Sequence, residues 1–150
     1  MDYIFIGLKY GLVHLARSWL VFPQMRPLLL KMCGHTFSDA RSVFIGADVM
    51  FDNVRGAKTH VGRSVTIATG AKIMNHYIVP DGLNQNYTKG DVYIDDDVFI
   101  GMNVLIVQPV KIGKNSLVAA GSVVTSDIPP NVLVAGSPAR VIKQLPEKSA

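Results

Sequence analysis

A histidine stands where a repeating pattern is interrupted. His76 ends the stretch "KIMNH", and the polar segment "YIVPDGLNQNYTKGD", rich in Gly, Asn and Asp, follows it. Histidine has an unperturbed pKa near neutrality, so it can take a proton from a hydroxyl at physiological pH. A loop extruded from a surface forms a wall that can hold a second reactant against such a base. The sequence therefore predicts His76 as a general base, with residues 78–91 as an extruded loop beside it.

The other candidate reactive side chains are placed less well than His76. His14 lies in an apolar N-terminal segment, His35 precedes the repeat, and His60, the second choice, stands at a corner before "VGRSV". Cys33 also lies before the repeat, and no G-x-S-x-G motif of a serine nucleophile occurs. The sequence thus offers no covalent nucleophile, so if the protein transfers a group, the transfer is expected to be direct, between two bound substrates.

A six-residue repeat must position these side chains. Aliphatic residues recur every six positions, the residue after each is often small or acidic, and a small or branched side chain returns four positions on. The aliphatic set is Val61, Ile67, Ile73, Ile94, Ile100, Ile106, Ile112, Val118 and Val124; the following positions include Gly46, Gly62, Ala68, Asp95, Gly101, Gly113 and Ala119; the third set is Val49, Val65, Ala71, Val98, Val104, Val110, Ser116 and Ser122.

This period fits neither the 3.6-residue period of a helix nor the two-residue alternation of a strand. It fits a parallel coil of three short strands per turn, in which each hexad supplies one strand and one corner and the aliphatic residue points inward. The small or acidic neighbour is expected to take the tight corner, where a missing Cβ or a local hydrogen bond relieves strain. The predicted fold class is all-β, a parallel β-helix.

The exposed ends of such a coil need covers. At helical spacing the N-terminal segment shows an apolar stripe and a polar half, so it is predicted to be an amphipathic helix that ends at Pro23. The stripe is Ile4, Leu8, Leu12, Leu15 and Trp19, and the polar half is Lys9, His14, Arg17 and Ser18. Capping the coil is the favoured role of this helix, with peripheral membrane contact through residues 3–22 as the alternative.

Composition limits the remaining classes. A chain of 150 residues has the size of one domain, and a single cysteine cannot form an intrachain disulfide, so the cytoplasm is the expected compartment. The formal charge of +4 is concentrated at the two ends, without the clustered basic face and stacking aromatics of a nucleic-acid binder. Residues 1–41 are expected to form the helix and a lead-in cap, and residues 42–150 the repeat domain with its C-terminal cap.

Residues 42–143 carry a family resemblance. The phrases "IGADVMFDNV" and "VGRSVTIATGAKIMNH", and above all "AAGSVVTSDIPPNVLVAGSPARVIK", resemble the hexapeptide-repeat acyltransferases, which include maltose, galactoside and polysaccharide O-acetyltransferases. The resemblance implies a left-handed coil, a homotrimer with the acyl-CoA site between neighbouring subunits, and a catalytic histidine at the position of His76. It also implies acetyl-CoA as donor, a sugar or cell-surface glycan hydroxyl as acceptor, and no metal. The apolar N-terminal helix is similar to that of surface-glycan acetyltransferases.

The resemblance assigns further roles around the predicted base. Backbone N–H groups near Gly101 and Met102, in the hexad that follows the loop, are expected to bind the developing oxyanion. Asp52 and Asn53, in "MFDNV", are expected to face the cleft and contact the acceptor.

The coenzyme A contacts are also implied by the resemblance. They are Ala119, Ala120, Thr125, Ser126, Arg140 and Lys143. The two alanines would let the pantetheine arm approach the coil, and the two basic residues would reach the nucleotide phosphates. Ser126 stands where the family often has lysine, so one phosphate contact is weaker here.

Alternative functions remain open at this point. A serine acetyltransferase or a nucleotide-sugar N-acetyltransferase shares the donor and the base but not the acceptor. A non-catalytic scaffold would leave His76 and the interrupting loop without a role. A carbonic anhydrase of this fold needs three imidazoles on one metal ion, and the sixteen-residue separation of His60 and His76 argues against it.

Overall fold

The computed structural model describes residues 2–81 and 84–147. Helix α1 (Asp2–Arg17) and helix α2 (Arg26–Met32) are separated by a 3-10 turn (Pro23–Met25). The strands that follow are β1 (Thr36–Phe37), β2 (Phe44–Ile45), β3 (Met50–Phe51), β4 (Thr59–Val61), β5 (Thr66–Ile67), β6 (Lys72–Ile73), β7 (His76–Asp81), β8 (Asn84–Lys89), β9 (Val92–Ile94), β10 (Phe99–Ile100), β11 (Leu105–Ile106), β12 (Lys111–Ile112), β13 (Leu117–Val118), β14 (Val123–Val124), β15 (Val132–Gly136) and β16 (Ala139–Gln144).

The strands form three sheets that the chain visits in rotation. Sheet A has the order β1-β4-β9-β12, sheet B the order β2-β5-β10-β13-β15-β16, and sheet C the order β3-β6-β11-β14. Pairing within these sheets is parallel except between β15 and β16. Each turn of the chain thus adds one strand to each sheet, which confirms the predicted three-strand coil. The first paired strand, Thr36–Phe37, precedes residue 42, where the sequence places the start of the repeat domain.

The repeat positions fill the interior of this coil. The nine predicted aliphatic residues are at most 2% exposed, and the third set of repeat positions is buried as well. Successive turns are joined by backbone hydrogen bonds such as Thr66 N–H to Val98 O at 2.9 Å. Burying an aliphatic side chain of this size stabilises a protein by about 1.5–3 kcal/mol. The inward direction of the hexad residues is therefore confirmed.

The prediction that the small residues take the tight corners is wrong. The left-handed corner conformation lies two residues later, at Asp48, Ser64, Gly70, Asp97, Asn103, Asn115 and Gly121. The small residues are required for a different reason, because the backbone of the next turn of the coil passes close to them. A Cβ at Gly46 would lie 2.5 Å from Thr69 N, and one at Gly113 would lie 2.5 Å from Pro130 N. Glycine is needed there because a side chain would push two turns apart.

The helices cover the first turn of the coil. Ala16 of α1 and Leu30 of α2 belong to the buried hydrophobic core. The Arg17 guanidinium donates to Asp48 Oδ1 at 2.6 Å, and the buried Arg26 donates to the Ile45 carbonyl oxygen, also at 2.6 Å. These contacts attach the helices to backbone and corner groups of the first turn, which supports the capping role.

The prediction that the N-terminal helix extends to Pro23 is wrong, because α1 ends at Arg17 and Trp19 lies beyond it. The predicted stripe is only partly used in the contact with the coil, since the buried residues among the described side chains of α1 are Val13 and Ala16. Leu12 is half-buried, whereas Leu8 and Leu15 are exposed and Trp19 is 78% exposed. The side chains of Ile4 and Lys9 lie outside the described residues. Over the described residues, no helix has the length and apolar character needed to cross a membrane. Contact of the exposed stripe with a membrane surface stays a prediction.

Candidate functional site

The chain turns a corner each time it leaves sheet C, and we call this corner the exit edge. Asp52 follows β3 at this edge, and His76 follows β6 one turn later. His76 Nδ1 lies 2.5 Å from Asp52 Oδ2, and the side chains are 29% and 12% exposed. Because an ionised carboxylate only accepts, Nδ1 donates to it, and in the neutral imidazole Nε2 then carries the lone pair. Among the described residues no hydrogen-bond partner occupies Nε2, so it is available to a substrate hydroxyl.

Asn75 holds this pair in place, a role that the sequence did not reveal. Its side chain is completely buried; Nδ2 donates to Lys58 O at 2.7 Å and to Gly90 O at 3.1 Å, and Oδ1 accepts from Thr59 Oγ1 at 3.1 Å. Its backbone N–H donates to Asp52 Oδ2 at 2.9 Å, and its carbonyl accepts from Gly90 N–H at 2.9 Å. Asn75 therefore orients the carboxylate and joins the two ends of the extruded segment.

The extruded segment is an antiparallel hairpin of β7 and β8, in register from His76↔Lys89 to Asp81↔Asn84. The Tyr87 ring stacks on the His76 imidazole, with centroids 5.3 Å apart and planes 28° apart. Ile78 and Val79 are exposed on the same hairpin. Tyr87 was missed by the sequence reasoning. The signal that could have found it is the Asp-Gly dipeptide at residues 81–82 between β-forming residues, which is typical of a hairpin.

Part of the predicted coenzyme A site lies on the same exit edge. Backbone hydrogen bonds from Met74 N to Ile106 O and from Val107 N to Val124 O place Thr125 two turns above Met74. At about 4.8 Å per strand, this separation is about 10 Å. Thr125, Ser126, Ala139 and Arg140 line one cavity of about 370 Å³. Lys143 is exposed on β16 and is not among the residues that line this cavity.

The other predicted residues lie where the chain enters sheet C, a corner that we call the entry edge. Gly101 and Met102 precede β11, and Ala119 and Ala120 precede β14. The chain turns at Asn103 and then crosses the sheet from Val104 to Val107, which covers about 10 Å of extended chain. Within one chain, these residues and His76 therefore occupy opposite edges of sheet C.

The two candidate oxyanion donors differ in availability. The Gly101 N–H donates to Val118 O at 2.8 Å, as part of the ladder between turns. Met102 lies next to it, with an exposed side chain and its carbonyl bonded to Gly121 N–H at 2.8 Å. Its N–H makes no hydrogen bond within the described chain, which leaves Met102 as the better donor. Asn53, next to Asp52, is half-buried, and its side chain has no hydrogen-bond partner in the described part of the molecule.

The second-choice histidine, His60, has no free ring nitrogen. Its Nε2 lies 2.8 Å from Asp91 Oδ2 and its Nδ1 lies 2.7 Å from Thr36 Oγ1. Burial raises the pKa of Asp91, but hydrogen bonds from His60 and from the Lys58 backbone N–H lower it more, so the net pKa is below the ordinary value. His60 is therefore not arranged as a base. In residues 2–81 and 84–147, no group of three His, Cys, Asp or Glu side chains could hold a metal ion.

Comparison with known proteins gives one family-model match and several relatives. Residues 91–126 match the family described as bacterial transferase hexapeptide (six repeats). Over 68 residues, 45% of this chain and 29% of the relative, the sequence is 52% identical to a 2,3,4,5-tetrahydropyridine-2,6-dicarboxylate N-acetyltransferase of Clostridium perfringens. The chain thus spans less than a third of the length of this curated relative.

Solved structures match over more of their length. A maltose O-acetyltransferase of Clostridium difficile 630 superposes with a TM-score of 0.72 and 28% identity, covering 94% of this chain and 86% of that one. A hexapeptide-repeat-containing acetyltransferase of Vibrio cholerae gives a TM-score of 0.70, 28% identity, and coverage of 94% and 90%. A Vibrio cholerae structure of the same description was solved in complex with acetyl-CoA. The resemblance stated from the sequence motifs is confirmed.

Proposed function

We propose, on the premise that this chain resembles the hexapeptide-repeat acyltransferases, that it transfers an acetyl group from acetyl-CoA to a hydroxyl of a sugar or cell-surface glycan. The observation that carries the proposal is the Asp52–His76 pair at the root of the hairpin. The carboxylate fixes the imidazole tautomer, and the acceptor-side nitrogen is left with a lone pair. We also propose that the coil is left-handed and that the protein works in the cytoplasm, the compartment expected for a chain with a single cysteine.

The chemistry follows from this tautomer. Nε2 of His76 takes the proton of the acceptor hydroxyl as the oxygen attacks the thioester carbonyl carbon. The bond from carbon to the hydroxyl oxygen forms, and the Met102 N–H stabilises the negative charge on the carbonyl oxygen. The carbon–sulfur bond then breaks, and the imidazolium returns its proton to the departing thiolate. Asp52 stabilises the imidazolium between these steps and does not need to take the proton itself.

Two observations support a site shared between copies of this chain. The base and the candidate oxyanion donor lie on opposite edges of sheet C. The outward positions of sheet B are mainly apolar: Phe44, Thr66, Phe99, Leu117 and Leu133 are in register, and both phenylalanines are exposed. An exposed apolar face of this kind marks an interaction surface. A neighbour that brings its entry edge to this exit edge completes the site, and the family resemblance favours a homotrimer.

The protein is therefore expected to be a trimer in solution. Light scattering coupled to gel filtration should give three times the 16.3 kDa chain mass. Phe99→Glu places a charge on the apolar face of sheet B and should dissociate the assembly, with loss of activity. Lys72→Glu, on the outward face of sheet C, is the matched charge control and should leave the mass unchanged. A wild-type monomer with full activity would contradict the shared site.

Arg140 is expected to contribute to donor affinity. Its position on the cavity with Thr125 and Ser126 suits a phosphate contact. Arg140→Ala should raise the KM for acetyl-CoA about tenfold, because a hydrogen bond to a charged group is worth about 1.5–3 kcal/mol. Turnover at saturating donor should change little, since a contact remote from the thioester holds ground state and transition state alike. Added salt should raise the same KM.

Lys143→Ala is the matched control, because Lys143 lies on the same strand but does not line the cavity. We expect a smaller increase in KM for Lys143→Ala, and the double variant should resemble Arg140→Ala. If Arg140→Ala lowers the melting temperature and leaves the KM for acetyl-CoA unchanged, the C-terminal strands only cap the coil.

An N-acetyltransferase is the second candidate function. The Clostridium perfringens relative, 52% identical over 68 residues, acts on nitrogen by its name. An amine acceptor needs the same donor and the same base, so the Asp52–His76 geometry suits it equally well.

One assay tests both candidates. Acetyl-CoA is incubated with the protein and with a panel of mono- and oligosaccharides, amino sugars, nucleotide sugars and amino acids, serine among them, and free thiol release is followed. Release with hydroxyl acceptors that depends on His76 supports the proposed function. Release only with amines favours N-acetylation, and no release with any acceptor by a folded protein favours the scaffold alternative.

A further inference from the structure

The outward face of sheet A differs in character from that of sheet B. Its in-register outward residues are Thr36, His60, Tyr93 and Lys111, from four adjacent strands. In sheet B the corresponding row is mainly apolar. A polar row with an aromatic ring suits a ligand better than it suits close packing against another copy of the chain.

Tyr93 is the centre of this face and is held by its neighbours. The His60 and Tyr93 rings are stacked, with centroids 4.5 Å apart and planes only 6° apart. His60 is itself fixed at both nitrogens, by Asp91 and by Thr36. Tyr93 nevertheless remains 45% exposed. The coil does not require such a network, because Lys111 occupies the equivalent position of β12 with an ordinary solvent-exposed side chain.

A cavity of about 400 Å³ lies beside these rings, at the corner where the chain leaves sheet A. Its polar lining consists of Thr36, Ser38, His60, Tyr93, Asp95, Asp96 and Lys114. A volume in this range is typical of sites for small organic ligands. Hydroxyls and carboxylates on the rim can each bond to a ligand hydroxyl, and the rings offer an apolar surface.

Two carboxylates and three basic side chains surround the cavity, namely Asp95 and Asp96 with Arg63, Lys111 and Lys114. Asp96 Oδ2 accepts from Arg63 Nη2 at 3.0 Å, and Asp95 Oδ2 lies 3.9 Å from Lys111 Nζ. A phosphorylated ligand would meet Lys114 but also both carboxylates, and a cationic ligand would meet Lys114 and compete with the basic partners that the carboxylates already have. A neutral ligand rich in hydroxyl groups avoids both costs.

The cavity and the hairpin root lie at opposite ends of the sheet A strands, and His60, which lines the cavity, joins the two ends. Asp91, the partner of His60, directly follows Gly90, which closes the hairpin on Asn75. Thr59, which donates to Asn75, directly precedes His60. The sheet A face therefore begins beside the root of the hairpin that carries His76.

We propose that the sheet A cavity is a second sugar subsite, which binds a non-reacting sugar residue of an oligosaccharide acceptor against Tyr93. The apolar C–H face of the sugar ring packs on the aromatic pair, and its hydroxyls bond to Ser38, Asp95 and Asp96. The subsite rests on the proposed function in one respect, namely that the acceptor is a glycan. It explains how a glycan longer than one residue is held while only one hydroxyl reaches His76.

The test measures binding apart from turnover. Saturation-transfer-difference NMR is recorded without acetyl-CoA, with maltose, cellobiose, lactose and chitobiose as probes. At least one disaccharide should bind to the wild type, Tyr93→Ala should weaken it tenfold or more, and Tyr93→Phe, which keeps the ring, should change it less than twofold. Asp95→Asn should weaken binding as a second variant, and Lys72→Ala is the control that should not. Melting curves establish that each variant is folded.

The outcomes separate this proposal from the proposed function. Binding that depends on Tyr93 without thiol release would support the subsite and contradict the acetyltransferase activity. Thiol release with sugar acceptors, combined with equal disaccharide binding by the wild type and Tyr93→Ala, would overturn the subsite and leave the activity standing. Failure of all four disaccharides to bind the wild type would also overturn the subsite.

Discussion

Replacing His76 with alanine is expected to lower kcat roughly a hundredfold or more, because a positioned general base contributes on that scale. The KM for acetyl-CoA should change little, since the predicted donor contacts lie two turns away on the exit edge or on the opposite edge of sheet C. The fold should persist, because the side chain is outside the hydrophobic core and interacts with Asp52 and Tyr87 at the surface of the coil. Steady-state kinetics, with circular dichroism as the folding check, measure both effects.

Two further variants make this result specific. His14→Ala removes an exposed histidine of α1 and should leave kcat unchanged. Asp52→Asn keeps the shape of the side chain but turns its carboxylate into an amide, so it should lower kcat by less than His76→Ala and shift the pH profile of kcat. A folded His76→Ala protein with wild-type turnover would remove His76 from the mechanism.

Replacing Gly46 with alanine is expected to destabilise the protein by about 1–3 kcal/mol, the usual cost of forcing extra atoms into a packed site. The new Cβ would meet the Thr69 backbone nitrogen, an atom that moves only if two turns of the coil separate. Gly11→Ala is the matched control. A Cβ at Gly11 has no neighbour within 4 Å, and its helical position should gain about 0.5–1 kcal/mol.

The same substitution is thus expected to act with opposite signs at two glycines of one chain. Chemical denaturation at constant protein concentration measures both free energies of unfolding. Equal stability of Gly46→Ala and the wild type would mean that the spacing between turns adapts freely, and the explanation given for the glycines of the repeat would fail.

The period of the hexads was sufficient to predict the core. A residue that faces inward in one turn of the coil must face inward in the next, so aliphatic residues at every sixth position stack in the interior. Ile67, Ile100 and Val118 stack in this way in sheet B. Corner geometry was not accessible in the same way. Glycine, alanine and aspartate after the aliphatic residue suggested a tight turn, whereas the left-handed conformation is taken two residues later, for example by Asn103. The small residues are needed because the next turn of the coil approaches them closely, and this approach is not visible in the sequence.

The sequence placed His76 and Asp52 at the candidate site, but as a base and an acceptor contact and not as a hydrogen-bonded pair. His76 stood out because it interrupts a pattern, but its partner Asp52 is far from it in sequence, and their contact depends on the registration of one turn over another. Tyr87 depends in the same way on hairpin register, and the burial of Asn75 depends on groups from three separate segments. The division of the candidate residues between the two edges of sheet C became visible only when the strand order was known.

The closure of the hairpin on Asn75 allows the length and composition of the hairpin to vary without a change in the coil. The two hydrogen bonds between Asn75 and Gly90 seal the point where the hairpin leaves the coil, so the turns above and below pair as if nothing were inserted. Closing a longer loop at such a point costs little, about 0.6 kcal/mol for each doubling of its length. Hairpins of different length and composition can therefore occupy this position beside the His76 imidazole. The acceptor specificity can then change while the six-residue repeat of the coil stays the same.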